Sequence, residues 1–226
     1  VKTDAGTLVL TGNNTYSGGT VIAGGVLEVT SDANLGKAGT NIAIDGGTLK
    51  IGADNMTTPN RQIIAGKHNA TIDLDGHQYT PGAEIIGPGD VTIQSSENNN
   101  RLTYSNQSII PADGTASKLT LNYNNTYTGN TTVHGIGGTL GSDNNGHSPL
   151  TVEANNTTPF GSSNSATDKG GSVYIDQAAV VNMNGASATQ GATLGYHDVT
   201  VQGSEINFNG VSDAGNASVT NSTDKV

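Results

Sequence analysis

Residues 6 to 29 read GTLVLTGNNTYSGGTVIAGGVLEV. Leu8 and Leu10 alternate along the chain, and Gly12 follows. Two apolar residues at a period of two bury one face of a short strand and leave the other in water. Glycine then turns the chain, because it alone takes a positive φ cheaply. The same unit recurs as Ile42-Ala43-Ile44-Asp45-Gly46, Ile72-Asp73-Leu74-Asp75-Gly76, Val181-Asn182-Met183-Asn184-Gly185, Val199-Thr200-Val201-Gln202-Gly203 and Ile206-Asn207-Phe208-Asn209-Gly210. Looser copies without the glycine are Leu27–Val29, Val91–Ile93, Leu119–Leu121, Leu150–Val152 and Val173–Ile175. One such rung is too short to build a core. Stacked on copies above and below, it buries its apolar pair in a continuous column, so the pattern predicts an all-β parallel β-solenoid.

The rival is a β-sandwich or barrel, whose strands usually run about five or six residues between hairpin turns. The rungs here are shorter, Asn-Gly steps are confined to 145–146, 184–185 and 209–210, and Trp is absent. Helix has no foothold. The longest run free of Gly and Pro in the first half, Asp90 to Ile110, holds Asn98, Asn99 and Asn100 in a row, and Ser172 to Asn184 has period two rather than 3.6.

A longer repeat is superimposed. Leu8, Leu10, Asn14, Thr15, Tyr16 and Thr20 recur as Leu119, Leu121, Asn125, Thr126, Tyr127 and Thr131, each 111 residues later. Both copies run through Ile22 or Val133 to a Gly-x-Leu ending, Gly25-Val26-Leu27 or Gly138-Thr139-Leu140, the second shifted by two residues. Tyr16 and Tyr127 are therefore expected to play one structural part, packing at a coil corner.

Of 226 residues, 106 are Gly, Thr, Asn or Ser, and 45 are Leu, Ile, Val or Phe. That apolar share borders on compositions that stay disordered, so the pattern, not the composition, argues for a fold. Outward Thr, Asn and Ser suit stacked rungs by hydrogen bonding to their equivalents above and below. Net charge is −10 with 9 Lys+Arg, of which only Arg61 and Arg101 are guanidiniums, which excludes an electrostatic nucleic-acid binder. The lack of cysteine excludes a disulfide scaffold, a thiol nucleophile and a Cys-ligated zinc. The chain starts at Val1 without an initiator Met, which reads as a piece of a longer protein.

Residues 6–29 closely resemble the autotransporter-associated β-strand repeat of bacterial type V secretion passengers, many of them adhesins. The resemblance rests on Leu8, Leu10, Gly12, Asn14, Thr15, Tyr16, Gly18, Thr20, Gly25 and Leu27. The second copy departs at Tyr123, where Gly is expected, and near Gly135 to Gly138. The resemblance implies a right-handed parallel β-helix at the cell surface or outside a Gram-negative-type cell. It implies membrane contact only through a C-terminal barrel that this sequence lacks.

Chemistry-bearing residues are sparse. Asp73 and Asp75 share one face by period two and are the candidate metal pair, as half of a weak Ca²⁺ site. Asn182 with Asn184, and Asn207 with Asn209, fill the same slots in later rungs, as expected of a solvated rung that offers ligand or self-association contacts. Asp143-Asn144-Asn145-Gly146 has partial calcium-loop spacing but also reads as a turn. The five histidines are scattered singly, His68 and His77 being nine residues apart. No Gly-x-Ser-x-Gly elbow is present. A β-helix polysaccharide-degrading enzyme would need clustered carboxylates with Lys or Arg, which are spread out here.

These readings give one solenoid over 1–226, about nine coils of about 25 residues and a rod roughly 40–45 Å long at ~4.8 Å per rung. An irregular insertion is expected near 95–114, as a loop or short hairpin with Leu102 and Tyr104 in one strand, and as a candidate ligand element. The expected function is a non-enzymatic adhesin with no cofactor. Its partners would be a host surface protein, a glycan or a second copy, and weak self-association would be strengthened by salt or Ca²⁺. A passive stalk is the alternative.

Overall fold

The computed structural model describes residues 1–96, 102–105, 108–111, 117–135, 150–161, 170–177 and 179–222, with only the backbone of 102–105, 108–111 and 222. The chain winds in coils. Strand β1 (Thr7–Leu10) leads to β2 (Thr20–Ile22), β3 (Val26–Val29) and a 3-10 turn at Asp32–Leu35. The next coil is β4 (Ile42–Ile44), β5 (Thr48–Ile51) and β6 (Met56–Pro59), and the one after it β7 (Ile63–Ala65), β8 (Ala70–Asp73) and β9 (Gln78–Gly82). Then come β10 (Ile85–Ile86), β11 (Val91–Gln94), the pair β12 (Leu102–Ser105) and β13 (Ser108–Pro111), and β14 (Ser117–Leu121). The remaining strands are β15 (Thr131–His134), β16 (Leu150–Ala154), β17 (Val173–Asp176), β18 (Val180–Met183), β19 (Asp198–Gln202), β20 (Glu205–Phe208) and β21 (Ser218–Ser222).

Three parallel sheets form the walls of a β-solenoid. The longest runs β1-β3-β5-β8-β11-β15-β17-β19-β21, the second β20-β18-β16-β14-β9-β6, and the third β10-β7-β4-β2. The long sheet stacks nine strands, one to a coil, where about nine coils are expected, and at ~4.8 Å per strand it measures about 38 Å from first strand to last. Thr7, Val26, Thr48, Thr71, Thr92, Thr132, Tyr174, Thr200 and Thr220 stand in one column. A coil therefore takes 19 to 26 residues, except at the steps Thr92 to Thr132 and Thr132 to Tyr174, which take 40 and 42.

The core is the stack of inward rung positions. Leu27, Leu49, Ile72, Ile93, Val133, Ile175 and Val201 lie above one another along the long sheet, all at most 3% exposed. Tight coil corners need glycine for space as well as for φ. A Cβ on Gly89 would lie 1.6 Å from the Gly66 carbonyl oxygen of the coil beside it.

The antiparallel pair β12–β13 leaves the stack between the long and the second sheets. Its roots are tied. Ser95 and Ser117 hydroxyls lie 2.7 Å apart, and both accept the Gly76 N–H of the neighbouring coil, at 3.2 and 3.1 Å. The coil closes under the insertion as though it were absent.

Candidate binding surface

Each sheet presents a distinct outer face. The column beginning with Thr7 puts seven threonines on the long sheet. Beside it runs a second column, Val9, Glu28, Lys50, Asp73, Gln94, His134 and Asp176, and the last two strands pair Gln202 with Ser222. Charges alternate along its early part. Lys50 Nζ lies 2.9 Å from Asp75 and 3.7 Å from Glu28. Burial opposes the charge on Lys50, but the hydrogen bond and attraction of Asp75, helped by Glu28 and Asp73, hold its pKa above the usual lysine value.

The carboxylates singled out as a metal pair are occupied by the protein. Asp73 accepts the Asp75 N–H at 3.1 Å and the Ser96 N–H at 2.8 Å, while Asp75 pairs with Lys50. Among the described residues, no three His, Asp or Glu side chains gather as metal ligands. The two Asp and the four Asn candidates do not share a column: Asp73 stacks between Lys50 and Gln94, Asn182 between Glu153 and Asn207.

The asparagines form two adjacent ladders on the second sheet. Asn207 Nδ2 donates to Asn182 Oδ1 (3.0 Å), and Asn182 Nδ2 to Glu153 Oε1 (2.9 Å). Alongside, Asn209 donates to Asn184 (2.8 Å), Asn184 to Asn155 (3.0 Å) and to the second Glu153 oxygen (2.6 Å), and Asn155 to Asn122 (3.1 Å). Each amide passes a hydrogen bond down the stack, and Glu153 terminates one ladder by accepting from both. Leu102 and Tyr104 sit in β12, with side chains outside the described part of the structure, as is the whole of Asp143–Gly146.

Among the described residues, three histidines pair with a carboxylate of an adjacent coil, His68 with Asp45 (2.9 Å), His77 with Asp54 (2.8 Å) and His134 with Asp176 (2.7 Å), while His197 Nδ1 meets the Gly171 carbonyl (2.5 Å). The Asp45 carboxyl also accepts the His68 backbone N–H, and that bond is the main reason its pKa lies below the usual value.

The third sheet differs. Its outward column is Val21, Ala43, Ile64 and Ile86, four apolar residues in register, all half-buried. A shallow groove of about 400 Å³ lies over the first three, walled by residues 17–20 and 39–41. Along one side runs a polar row, Asn41 Nδ2 donating to Gln62 (3.3 Å) and Gln62 Nε2 to Glu84 (2.8 Å).

The 39–41 wall is set by Arg61, which is 0% exposed. Its Nη1 donates to the Leu35, Lys37 and Thr40 carbonyls and to Thr40 Oγ1, between 2.8 and 3.2 Å. Its Nη2 donates to the Gly36 carbonyl (2.9 Å), and its Nε to Asp32 Oδ1 (2.5 Å). A buried charge needs pairing and full hydrogen bonding, and this network supplies both. Sequence reasoning missed this clamp and the apolar column. The doublets Ile63-Ile64 and Ile85-Ile86 carried the signal for the column, because two adjacent isoleucines in a strand cannot both face inward.

The repeat copies keep their local bonds. Tyr16 and Tyr127 hydroxyls pair with Thr20 and Thr131 Oγ1, at 2.8 and 2.5 Å. Asn14 and Asn125 each donate from Nδ2 to the next coil, to the Asn34 and Pro159 carbonyls, both at 2.7 Å. Beyond residues 136–149 the equivalence shifts, so that Leu35-Gly36 answers to Phe160-Gly161 and Val26–Val29 to residues 151–154. Gly138-Thr139-Leu140 lies outside the described residues, and β16 stacks where the strand of the repeat belongs.

A family model for the passenger-associated transport repeat matches residues 1–29 and 116–141, the two copies described above. A curated relative, the adhesin BmaC autotransporter of Brucella suis biovar 1 (strain 1330), is 50% identical over 72 residues. That stretch is 32% of this chain and 2% of the relative's length. No solved structure matches. Among the described residues, no helix is long and apolar enough to cross a membrane. Two transport repeats stand in one parallel stack, and a third of the chain is similar to an adhesin autotransporter, so what the chain resembles is an autotransporter passenger of the cell surface.

Proposed function

We propose that this passenger is a non-enzymatic adhesin that holds the cell to a host surface protein or glycan, or to a copy of itself in aggregates and biofilm. The observation that carries the reading is the set of long outward columns, seven threonines on the long sheet and two amide ladders on the second. A single hydrogen bond contributes only about 0.5–1.5 kcal/mol net. Many equal contacts on a rigid rod add by multivalency, which suits adhesion better than turnover. The likeness to a named adhesin supports the same reading.

The test is attachment of beads coated with the chain to cultured cells and to each other, with sedimentation of the free chain across a salt series. Adhesion predicts saturable bead capture. Self-recognition predicts clumping that grows as salt screens the repulsion between copies of net charge −10, with a Debye length of about 10 Å at 0.1 M. Added Ca²⁺ should strengthen clumping by bridging exposed carboxylates. Beads that bind neither cells nor one another would leave a passive stalk.

A further inference from the structure

We propose that the groove on the third sheet is a binding site for one pyranose unit of a neutral oligosaccharide. The proposal deepens the adhesin reading by giving it a ligand class and a place, and rests on that reading for its biological sense.

The floor, Val21, Ala43 and Ile64, is apolar and flat because it is one column of a parallel sheet. The walls bring Ser17, Thr40 and Asn41, with no charged side chain among the lining residues. A pyranose matches both halves, with a C–H face for the floor and hydroxyls for neutral donors and acceptors at the rim. Asn41 is exposed and uses one amide N–H toward Gln62, leaving its oxygen and second N–H to a ligand.

Other occupants fit less well. An anionic glycan would meet no Lys or Arg in the lining and a net charge of −10. An added peptide strand would find no free backbone edge beside the groove, since β2 is hydrogen-bonded to β4 on one side and to Lys2 on the other. A second copy needs about 800 Å² on each partner. A hollow of about 400 Å³ over three rungs is on the scale of a small-ligand site.

The site is also preorganised. The Arg61 guanidinium fixes the carbonyls of residues 35–40 from inside the fold, so the wall holds its shape without ligand. Rigid walls lower the ordering cost of binding.

Two variants block the groove without touching the core. Ala43→Asp puts a charge on the floor. Gly18→Trp fills the space above it, as Gly18 has no positive φ and a Cβ there meets nothing within 4 Å. The full chain would be titrated with N-acetyllactosamine and with chitotriose, and with a sulfated heparin disaccharide as control, following backbone amide shifts. The expected result is saturable shifts around residues 17–21 and 39–43 with a neutral sugar and none with the sulfated one. Both variants should weaken binding at least about tenfold, and Glu205→Gln, an exposed residue of β20 on the second sheet, should leave it unchanged. Absence of shifts with both neutral sugars, shifts confined to another face, or binding unaffected by both variants would overturn the proposal. So would a wild-type dimer that Ala43→Asp dissociates in sedimentation, since a second copy would then occupy the groove. Sugar binding without bead attachment to cells would sink the adhesin reading and leave the site standing. Attachment without sugar binding would do the reverse.

Discussion

The two copies of the transport repeat share a sequence but not a position. In the first, β1 is the end strand of its sheet, and Leu8, Val9 and Tyr16 are 42%, 48% and 39% exposed. In the second, a coil lies on each side, and Leu119, Leu121 and Tyr127 are at most 3% exposed. Their faces differ too. β1 belongs to the long sheet and β14 to the second, while β2 lies in the third and β15 in the long one. The repeat therefore specifies a strand, an Asn-x-Tyr corner and a strand, not a particular wall. Any wall serves because each offers the same inward apolar column. What a copy contributes to stability is then set by its neighbours, as expected of a stack whose units contact only adjacent units.

The largest test of that rule is the tyrosine pair. Tyr127→Ala should cost about 4 kcal/mol, in the range for a buried aromatic, and Tyr16→Ala about 1 kcal/mol. Chemical denaturation of both variants measures the difference. Equal losses would show that the corner acts locally and that the coil below adds nothing.

The Arg61 clamp is the next. The corner after the first copy, Ala33–Gly36, is held by the guanidinium, whereas Thr158–Gly161 is stiffened by Pro159 and filled by Phe160, which is 2% exposed. Arg61→Met should cost about 3 kcal/mol, because Asp32 and five loop acceptors lose their partner. Proteolysis at Lys37 should accelerate while the second corner stays protected. An unchanged cutting pattern would show that the first corner is self-supporting.

Asparagine gives a smaller contrast. Asn125 Oδ1 also accepts the Ile85 N–H of the coil below, at 2.8 Å, a bond with no counterpart at Asn14 among the described residues. Asn125→Ala should cost about 2 kcal/mol and Asn14→Ala about 1 kcal/mol. A thermal scan of the two single variants checks the ratio.

How much of this was legible in the sequence follows from the kind of contact. Every Gly-terminated rung was readable, because period-two burial and a glycine corner are local, and Leu8, Ile42, Val181 and Ile206 each begin or lie in a strand. Strands with weaker patterns escaped notice, β6 with Met56-Thr57-Thr58-Pro59 and β9 with Gln78 to Gly82 among them. They are strands because neighbouring coils supply backbone partners, not because of their own propensity. Stacking register was not legible either. Asp73 and Asn182 look interchangeable along the chain but belong to different walls, since insertions alter how many residues close a coil. Arg61 drew attention only as a scarce cation, since its acceptors come from residues 32–40 and meet it only once the coil closes.

The smallest effect concerns the links at the corner between the third and long sheets. There a side-chain oxygen of one coil accepts a backbone N–H of the next. Asp45 accepts from His68 (2.8 Å), and Asn130 from Ser172 (2.9 Å). The geometry is the same, but only the first acceptor titrates. The His68 N–H lowers the Asp45 pKa below 3.8, so the folded state favours the ionised form more than the unfolded state does. A depressed carboxyl pKa contributes stability that is complete above the unfolded value and fades as pH falls through the folded one. The Asp45 link should thus weaken only below about pH 4, and weakly, since the carboxylate is exposed to screening solvent. Asp45→Asn keeps the acceptor oxygen and removes the titration. Its melting temperature should sit slightly below that of the parent chain at pH 7, and the gap should narrow as pH falls below the ordinary aspartate range. Asn130→Asp should do the converse, adding acid sensitivity to a corner that has none from this bond. If Asp45→Asn followed the parent chain in parallel from neutral to acid pH, the two corners would be energetically alike, and the carboxylate would matter only as a hydrogen-bond acceptor.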